Sequence, residues 1–311
     1  MARVDHWFKN VFMVPGIIAA IGVDREHVPP DLIWHILVGL AAACLVASSN
    51  YTINEMADAP FDRWHPVKHR RPAASGQISQ PLGYLQWILL MLLGVGLGLT
   101  VSLPFAATLL ALWLMGCVYN LPPLRTKDIA YLDVLTEAVN NPLRLLAGWL
   151  IAGPASVAPG SLLLSYWMVG CYFMTLKRFA EYRDIGDVAR AAAYRPPFAV
   201  YTEERLLTSS MFYGAAAMLF LGAFTIRYRF ELILAFPLVA LVIALYLSLA
   251  FKKSSPVQSP ERLYREPTFL AACVICALAL LSLLVIDLPI IPQIFVPTAP
   301  TVQFQPPGPG P

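Results

Sequence analysis

Apolar residues run along this chain in blocks of about twenty, broken by short polar stretches and never alternating at period two. A block of about 20 apolar residues spans a bilayer as a helix. Nine such blocks stand out, at roughly 8–23, 32–57, 82–100, 103–121, 133–153, 161–180, 207–225, 230–250 and 268–286. They are apolar all round, which excludes the short alternating strands of a membrane barrel. The pattern predicts an all-α integral membrane protein, a bundle of about nine transmembrane helices in one domain over residues 1–286. The first block is the weakest, since Lys9 and Asn10 stand near its start and Pro15 interrupts it. Three polar loops are long, 58–81, 181–206 and 251–267. Residues 287–311 read as a Pro-rich disordered tail, uncharged from Pro289 onward.

Composition agrees: 58% of the 311 residues are hydrophobic and 13% charged, against about one quarter charged in a soluble domain. The net charge of +3 conceals an asymmetry. If nine spans alternate from a cytoplasmic N-terminus, only Arg25, Arg227 and Arg229 fall outside and Arg144 lies within a span; the other Lys and Arg face the cytoplasm. No cleavable signal peptide is apparent. Cys44, Cys117, Cys171, Cys273 and Cys276 all fall in the apolar blocks, where they read as small packing residues. Basic loops against a membrane, without interleaved aromatics, give no support to nucleic-acid binding.

Chemistry concentrates at three places. In Asn54-Glu55-Met56-Ala57-Asp58-Ala59-Pro60-Phe61-Asp62, an amide and two carboxylates recur every four residues at the end of the second block, so Asn54 and Asp58 share a helix face with Asp62 just beyond. Pro60 should end or bend that helix. Carboxylates at a membrane are costly unless something cationic lies between them, and a divalent metal carrying a diphosphate fits. Arg63, His65, Lys68, His69, Arg70 and Arg71 follow at once, as suits a polyanion. The second place is Lys177 to Asp187, where Lys177, Glu181 and Asp184 form one helical stripe. The two acid-and-base clusters on one membrane side can form two walls of a single site. The third runs from Tyr119, Asn120, Arg125 and Lys127 into Asp133, Glu137, Asn140 and Arg144, the last four stepping along one helix face as a buried network. For each, a positive-inside loop, a surface ion pair or a purely structural network is the plainer alternative.

These residues resemble the UbiA superfamily of intramembrane prenyltransferases, whose two acidic motifs correspond to Asn54–Asp62 and to Lys177–Asp187. The run from Asp62 to Gly76, with Trp7-Phe8-Lys9-Asn10 and Lys177-Arg178-Phe179-Ala180-Glu181, is similar to the branch containing decaprenyl-phosphate phosphoribosyltransferase. The family usually has Asn-Asp where this chain has Asn54-Glu55, and its second motif is often Asp-x-x-x-Asp, which is absent here.

The resemblance implies a Mg2+-dependent transferase that displaces diphosphate from an activated donor at the cytoplasmic face. Asn54, Asp58, Asp62, Glu181 and Asp184 would hold the metal, with the four carboxylates catalytic. Lys68, Arg71, Lys127 and Lys177 would neutralise diphosphate oxygens, with Asn54, Arg63, Tyr119 and Arg144 completing the substrate site. The branch motifs favour transfer of phosphoribose from phosphoribosyl diphosphate to a polyprenyl phosphate; the family at large favours transfer of a polyprenyl group to a small acceptor. A membrane transporter and a non-catalytic assembly partner of lipid enzymes remain as readings of another class.

Overall fold

A computed structural model of the chain describes residues 1–23, 29–63, 68–153 and 157–295; Trp64 to Val67 of the first polar loop, Arg25 and the tail from 296 onward lie outside the described residues. The helices are α1 (Val14–Val23), α2 (Leu32–Asp62), α3 (Gln80–Leu99), α4 (Leu103–Asn120), α5 (Leu132–Ala138), α6 (Asn140–Ile151), α7 (Gly160–Ile185), α8 (Val188–Tyr194), α9 (Glu203–Tyr228), α10 (Phe236–Ala250), α11 (Pro267–Val285) and α12 (Ile290–Phe295). Short 3-10 segments join several of them, and Val4–Met13 leads into α1 as such a segment. Among the described residues, 7 helical stretches are long and apolar enough to cross a membrane.

Three expectations change. The fifth block is divided at Val139 into α5 and α6, although Val139 keeps helical dihedrals and its N–H and C=O bond Leu135 and Leu143, so the division is an irregular turn within one helical run. The sixth forms the continuous α7, whose Lys177, Arg178, Glu181, Arg183 and Asp184 make it more polar than the seven spanning stretches. Helix α2 passes through Pro60 and ends at Asp62; a proline this close to the C-terminus forfeits one hydrogen bond in a turn that is about to finish. Asp58 and Asp62 are therefore both helical. Within the residues expected to form the tail, Ile290–Phe295 is a short helix.

Local sequence explains many helix ends. Ser102 caps α4 by accepting from Phe105 N at 3.2 Å, and Thr202 caps α9 by accepting from Arg205 N at 3.2 Å. Gly186, at φ 67°, closes α7. Two buried cores follow. One, around Met13, Phe105 and Trp149, joins the N-terminal segment, α1, α2, α4 and α6. The other, around Phe179, Phe198 and Leu206, joins α5, α7, α8, α9 and α10. Gly16 and Gly148 let the N-terminal helix touch α6 backbone to backbone, since a Cβ at either would overlap the carbonyl of Leu145 or Met13. Outward positions such as Leu92, Leu93, Phe212, Leu219, Val274 and Leu278 are exposed apolar side chains, as lipid-facing surfaces require.

Candidate active site

The C-terminal ends of α2, α4 and α7 and the start of α9 come to one end of the bundle, tied together by the loop between α4 and α5. At α2, Asn54 Nδ2 donates to Asn120 Oδ1 at 2.6 Å, and buried Asn120 is itself held by its Nδ2 on Gly116 O at 2.9 Å. Lys127 Nζ bonds Asp58 Oδ1 and also reaches Asn120 Oδ1 at 3.1 Å. Arg125 bonds the same Asp58 oxygen at 3.1 Å and Asp128 at 2.6 Å. One carboxylate thus faces two cations delivered from nearly seventy residues away. Arg125 and Tyr131, at φ 31° and 67°, hold left-handed backbone at the two turns of this loop, the kind of strain that a functional loop retains only where its surroundings fix it. Lys127 is 7% exposed. Burial pushes its ammonium below the ordinary lysine range, and Asp58 opposes that shift.

Just beyond, Asp62 pairs with Arg71 at 2.7 Å. Buried Glu55 accepts from Ala73 N at 3.1 Å and lies 3.9 Å from the N-terminal ammonium. The residue that departs from the family's Asn-Asp therefore folds the basic loop back onto α2: its longer arm reaches a backbone amide. Arg63 is exposed just past the helix end, and Lys68 opens a 3-10 turn, its side chain outside the described part.

At α7 the acids are held differently. Arg178 Nε donates to Asp133 Oδ2 at 2.9 Å and Nη1 to Glu181 at 3.2 Å; Arg178 is 3% exposed and Asp133 0%. Tyr201 donates to Asp133 Oδ1 at 2.7 Å and accepts from Tyr131 N at 2.6 Å. Burial and the Asp133 charge push the Tyr201 phenol up, so it remains a donor. Arg195 adds a second cation 3.9 Å from Glu181. Beside this joint opens a hollow of about 190 Å³ lined by Glu181, Asp184, Ile185, Arg190, Tyr194 and Gln258. Asp187 is spent on capping α8, accepting from Arg190 N at 2.7 Å.

The five expected metal ligands do not gather into one cluster. Among the described residues, no three Asp, Glu, His or Cys side chains are placed to hold an ion together. The reason is local: Asp58, Asp62 and Glu181 each already face a base. The expected one-face network on the fifth span is also corrected, because its members find partners on other segments. Asp133 turns to Arg178, while Arg144 Nε donates to Asn10 Oδ1 at 3.2 Å and not to Glu137. Tyr119 is half-buried at the end of α4. Sequence reasoning missed the joining roles of Glu55, Asp133 and Tyr201. Opposite charges within two apolar blocks could have matched Asp133 to Arg178; nothing in the sequence marks Tyr201.

The donor set still suits a hard divalent ion that arrives with its own ligands. Mg2+ takes one or two protein carboxylates and completes its shell with water and substrate phosphates. Asp58, with Asn54 one turn away on α2, supplies the single carboxylate and neighbouring amide that such an ion takes from protein.

Residues 12–275 match the profile of the UbiA prenyltransferase family. The chain is 32% identical over 188 residues to decaprenyl-phosphate phosphoribosyltransferase of Mycolicibacterium smegmatis, covering 58% of this chain and 55% of that relative. It is 26% identical over 185 residues to the protein of the same name from Mycobacterium tuberculosis, covering 58% of each. The chain thus spans a little over half the length of these two curated relatives. A solved UbiA homologue from Archaeoglobus fulgidus bound to GPP and Mg2+ superposes with TM-score 0.67 at 19% identity, over 92% of this chain and 100% of that one.

Proposed function

The chain belongs to the UbiA prenyltransferase family, and from that membership we propose that it is an integral membrane transferase moving phosphoribose from phosphoribosyl diphosphate onto a polyprenyl phosphate. The observation that carries the reading is the convergence of Lys127 and Arg125 on Asp58, beside Asn54 and Asn120. Such a group can give up one carboxylate contact and receive diphosphate oxygens in its place. An oxygen of the lipid phosphate attacks C1 of the ribose. The bond from C1 to the diphosphate oxygen breaks, and diphosphate leaves with the electron pair.

Lys127 and Arg125 stabilise the negative charge that grows on the leaving group, from positions fixed before the reaction starts. Mg2+, which would be held by Asn54 and Asp58, supplies further neutralisation to that diphosphate when bound. Arg71, held by Asp62, places a third cation on the same helix end. Glu181 and Asp184 line the hollow at the end of α7, where carboxylates accept hydrogen bonds from a sugar diol. Five of its six lining residues carry polar groups able to bond a sugar diol. The similarity to decaprenyl-phosphate phosphoribosyltransferases points the same way. By the positive-inside asymmetry this end faces the cytoplasm.

The test is product analysis by mass spectrometry of purified protein in lipid nanodiscs with Mg2+. Phosphoribosyl diphosphate and a polyprenyl phosphate form one incubation; geranylgeranyl diphosphate with small aromatic acceptors forms the other. A phosphoribosylated lipid from the first alone is expected. A prenylated product from the second alone would move the chain to prenyl transfer.

A further inference from the structure

Three partly buried cations from separate segments are gathered around one acid. Lys9 comes from the N-terminal segment, Arg144 from the first turns of α6 and Lys177 from α7. Lys9 lies within electrostatic reach of Arg144, Lys177 and Glu137, and Lys177 within reach of Glu137. The N-terminal segment is fixed so that Lys9 points inward. Trp7 Nε1 donates to Ser48 Oγ at 2.9 Å, buried Asn10 bridges Cys44 and Arg144, and the Lys9 ammonium sits 5.8 Å over the Tyr51 ring.

None of the three cations has an ion pair among the described residues, and Lys9 and Lys177 make no hydrogen bond there. Glu181, the other acid near Lys177, is taken up by Arg178 and Arg195. Ionised side chains at membrane depth are normally paired with one another, and even a partly buried cation without a counter-charge is unfavourable. Against three positive charges stands the single carboxylate of Glu137, leaving an excess of two. A second, independent sign lies beside Arg144: the amide oxygen of Asn140 is buried with no hydrogen-bond partner. Oxygen and nitrogen of such an amide exchange by a half-turn, which would aim its two donors at an anion.

We propose that Lys9, Arg144 and Lys177, with Asn140, form a receptor for a phosphate monoester, occupied by the phosphate of the polyprenyl acceptor. A phosphate monoester carries about −1.5 to −2 charges near neutral pH, which matches the excess. The site shares no residue with the diphosphate-facing group at Asp58, and its assignment to the acceptor rests on the phosphoribosyl-transfer reading. It makes the acceptor's charge, rather than its chain, the feature that is selected: a polyprenol lacking the phosphate leaves the three cations unpaired.

Binding is measured on the full chain in nanodiscs with neither Mg2+ nor donor, so the outcome does not depend on turnover. The probe is radiolabelled geranylgeranyl monophosphate, competed by geranylgeraniol and by inorganic phosphate. Expected are binding at least tenfold tighter than the alcohol, a loss of at least tenfold in Lys9→Gln and again in Lys177→Gln, retention in Lys9→Arg, and no change in Asp58→Asn. Thermal melts confirm that each variant is folded; should Lys9→Gln unfold, Lys177→Gln, on a continuous helix, decides. Wild-type affinity in folded Lys177→Gln, or equal affinity for the alcohol, overturns the site. Equal competition by inorganic phosphate overturns the lipid assignment. Failure of the transferase reading appears elsewhere, as absent product from phosphoribosyl diphosphate while monophosphate binding persists.

Discussion

The acidic end of α2 and the acidic end of α7 look alike as sequence and differ in what holds them. At α2, Asp58 is partly exposed and takes its cations from a distant loop; at α7, Arg178 and Asp133 are sealed from solvent with Tyr201 above them. A partly exposed carboxylate shared by two bases can exchange partners with a phosphate. A fully enclosed Arg–Asp pair cannot open without leaving a buried charge alone. The first arrangement suits chemistry. The second suits a joint, and it fastens the loop that carries Lys127 to the loop after α8.

The comparison is broken first at its strongest point. Arg178→Met strands Asp133, and we expect a loss of about 3–5 kcal/mol in stability, read as a large drop in melting temperature in detergent; an unshifted melt would remove the joint. Asp58→Asn should do the reverse, cutting product formation about 10²–10³-fold, on the scale of removing a preorganised transition-state contact, with a smaller loss of stability than Arg178→Met. Tyr201→Phe leaves Asp133 Oδ1 and Tyr131 N short of a partner and should cost about 1–3 kcal/mol of stability, in proportion lowering the fraction folded at elevated temperature.

The mildest test sharpens the contrast by pH. The Lys127 ammonium is present below its folded pKa and lost as pH rises through it, and that pKa lies below the ordinary lysine value. Activity should therefore fall on the alkaline side earlier than for an exposed lysine. A base whose folded pKa is depressed adds stability as pH rises, since the unfolded chain then binds more protons, so this loss should occur without melting. Lys127→Arg, which stays charged, should shift the alkaline fall upward; an identical profile in that variant would remove Lys127 from the chemistry.

Much of this was legible in the residues. The apolar blocks located the helices, and the four-residue spacing of Asn54, Asp58 and Asp62 put them on one helix end. The nine-span count was less secure, because an apolar run such as α7 also carries enough polar positions to fall short of the seven spanning stretches. The stripe Asp133, Glu137, Asn140 and Arg144 looked like a self-contained network because spacing along one helix says nothing of partners on other segments. Pro60 misled in the opposite sense, its effect being small where the helix was ending anyway.

By itself the sequence determined that the chain lives in a membrane, where its helices lie and which residues carry charge near their ends, because burial in lipid leaves few options for apolar runs and for backbone polar groups. Which acid meets which base was decided only by the tertiary structure. Lys127 reaches Asp58, Arg178 closes on Asp133, and Lys9 enters the interior beside Arg144, all through contacts between segments far apart in the chain. Local spacing carries no information on those distances; packing of one helix against another sets them.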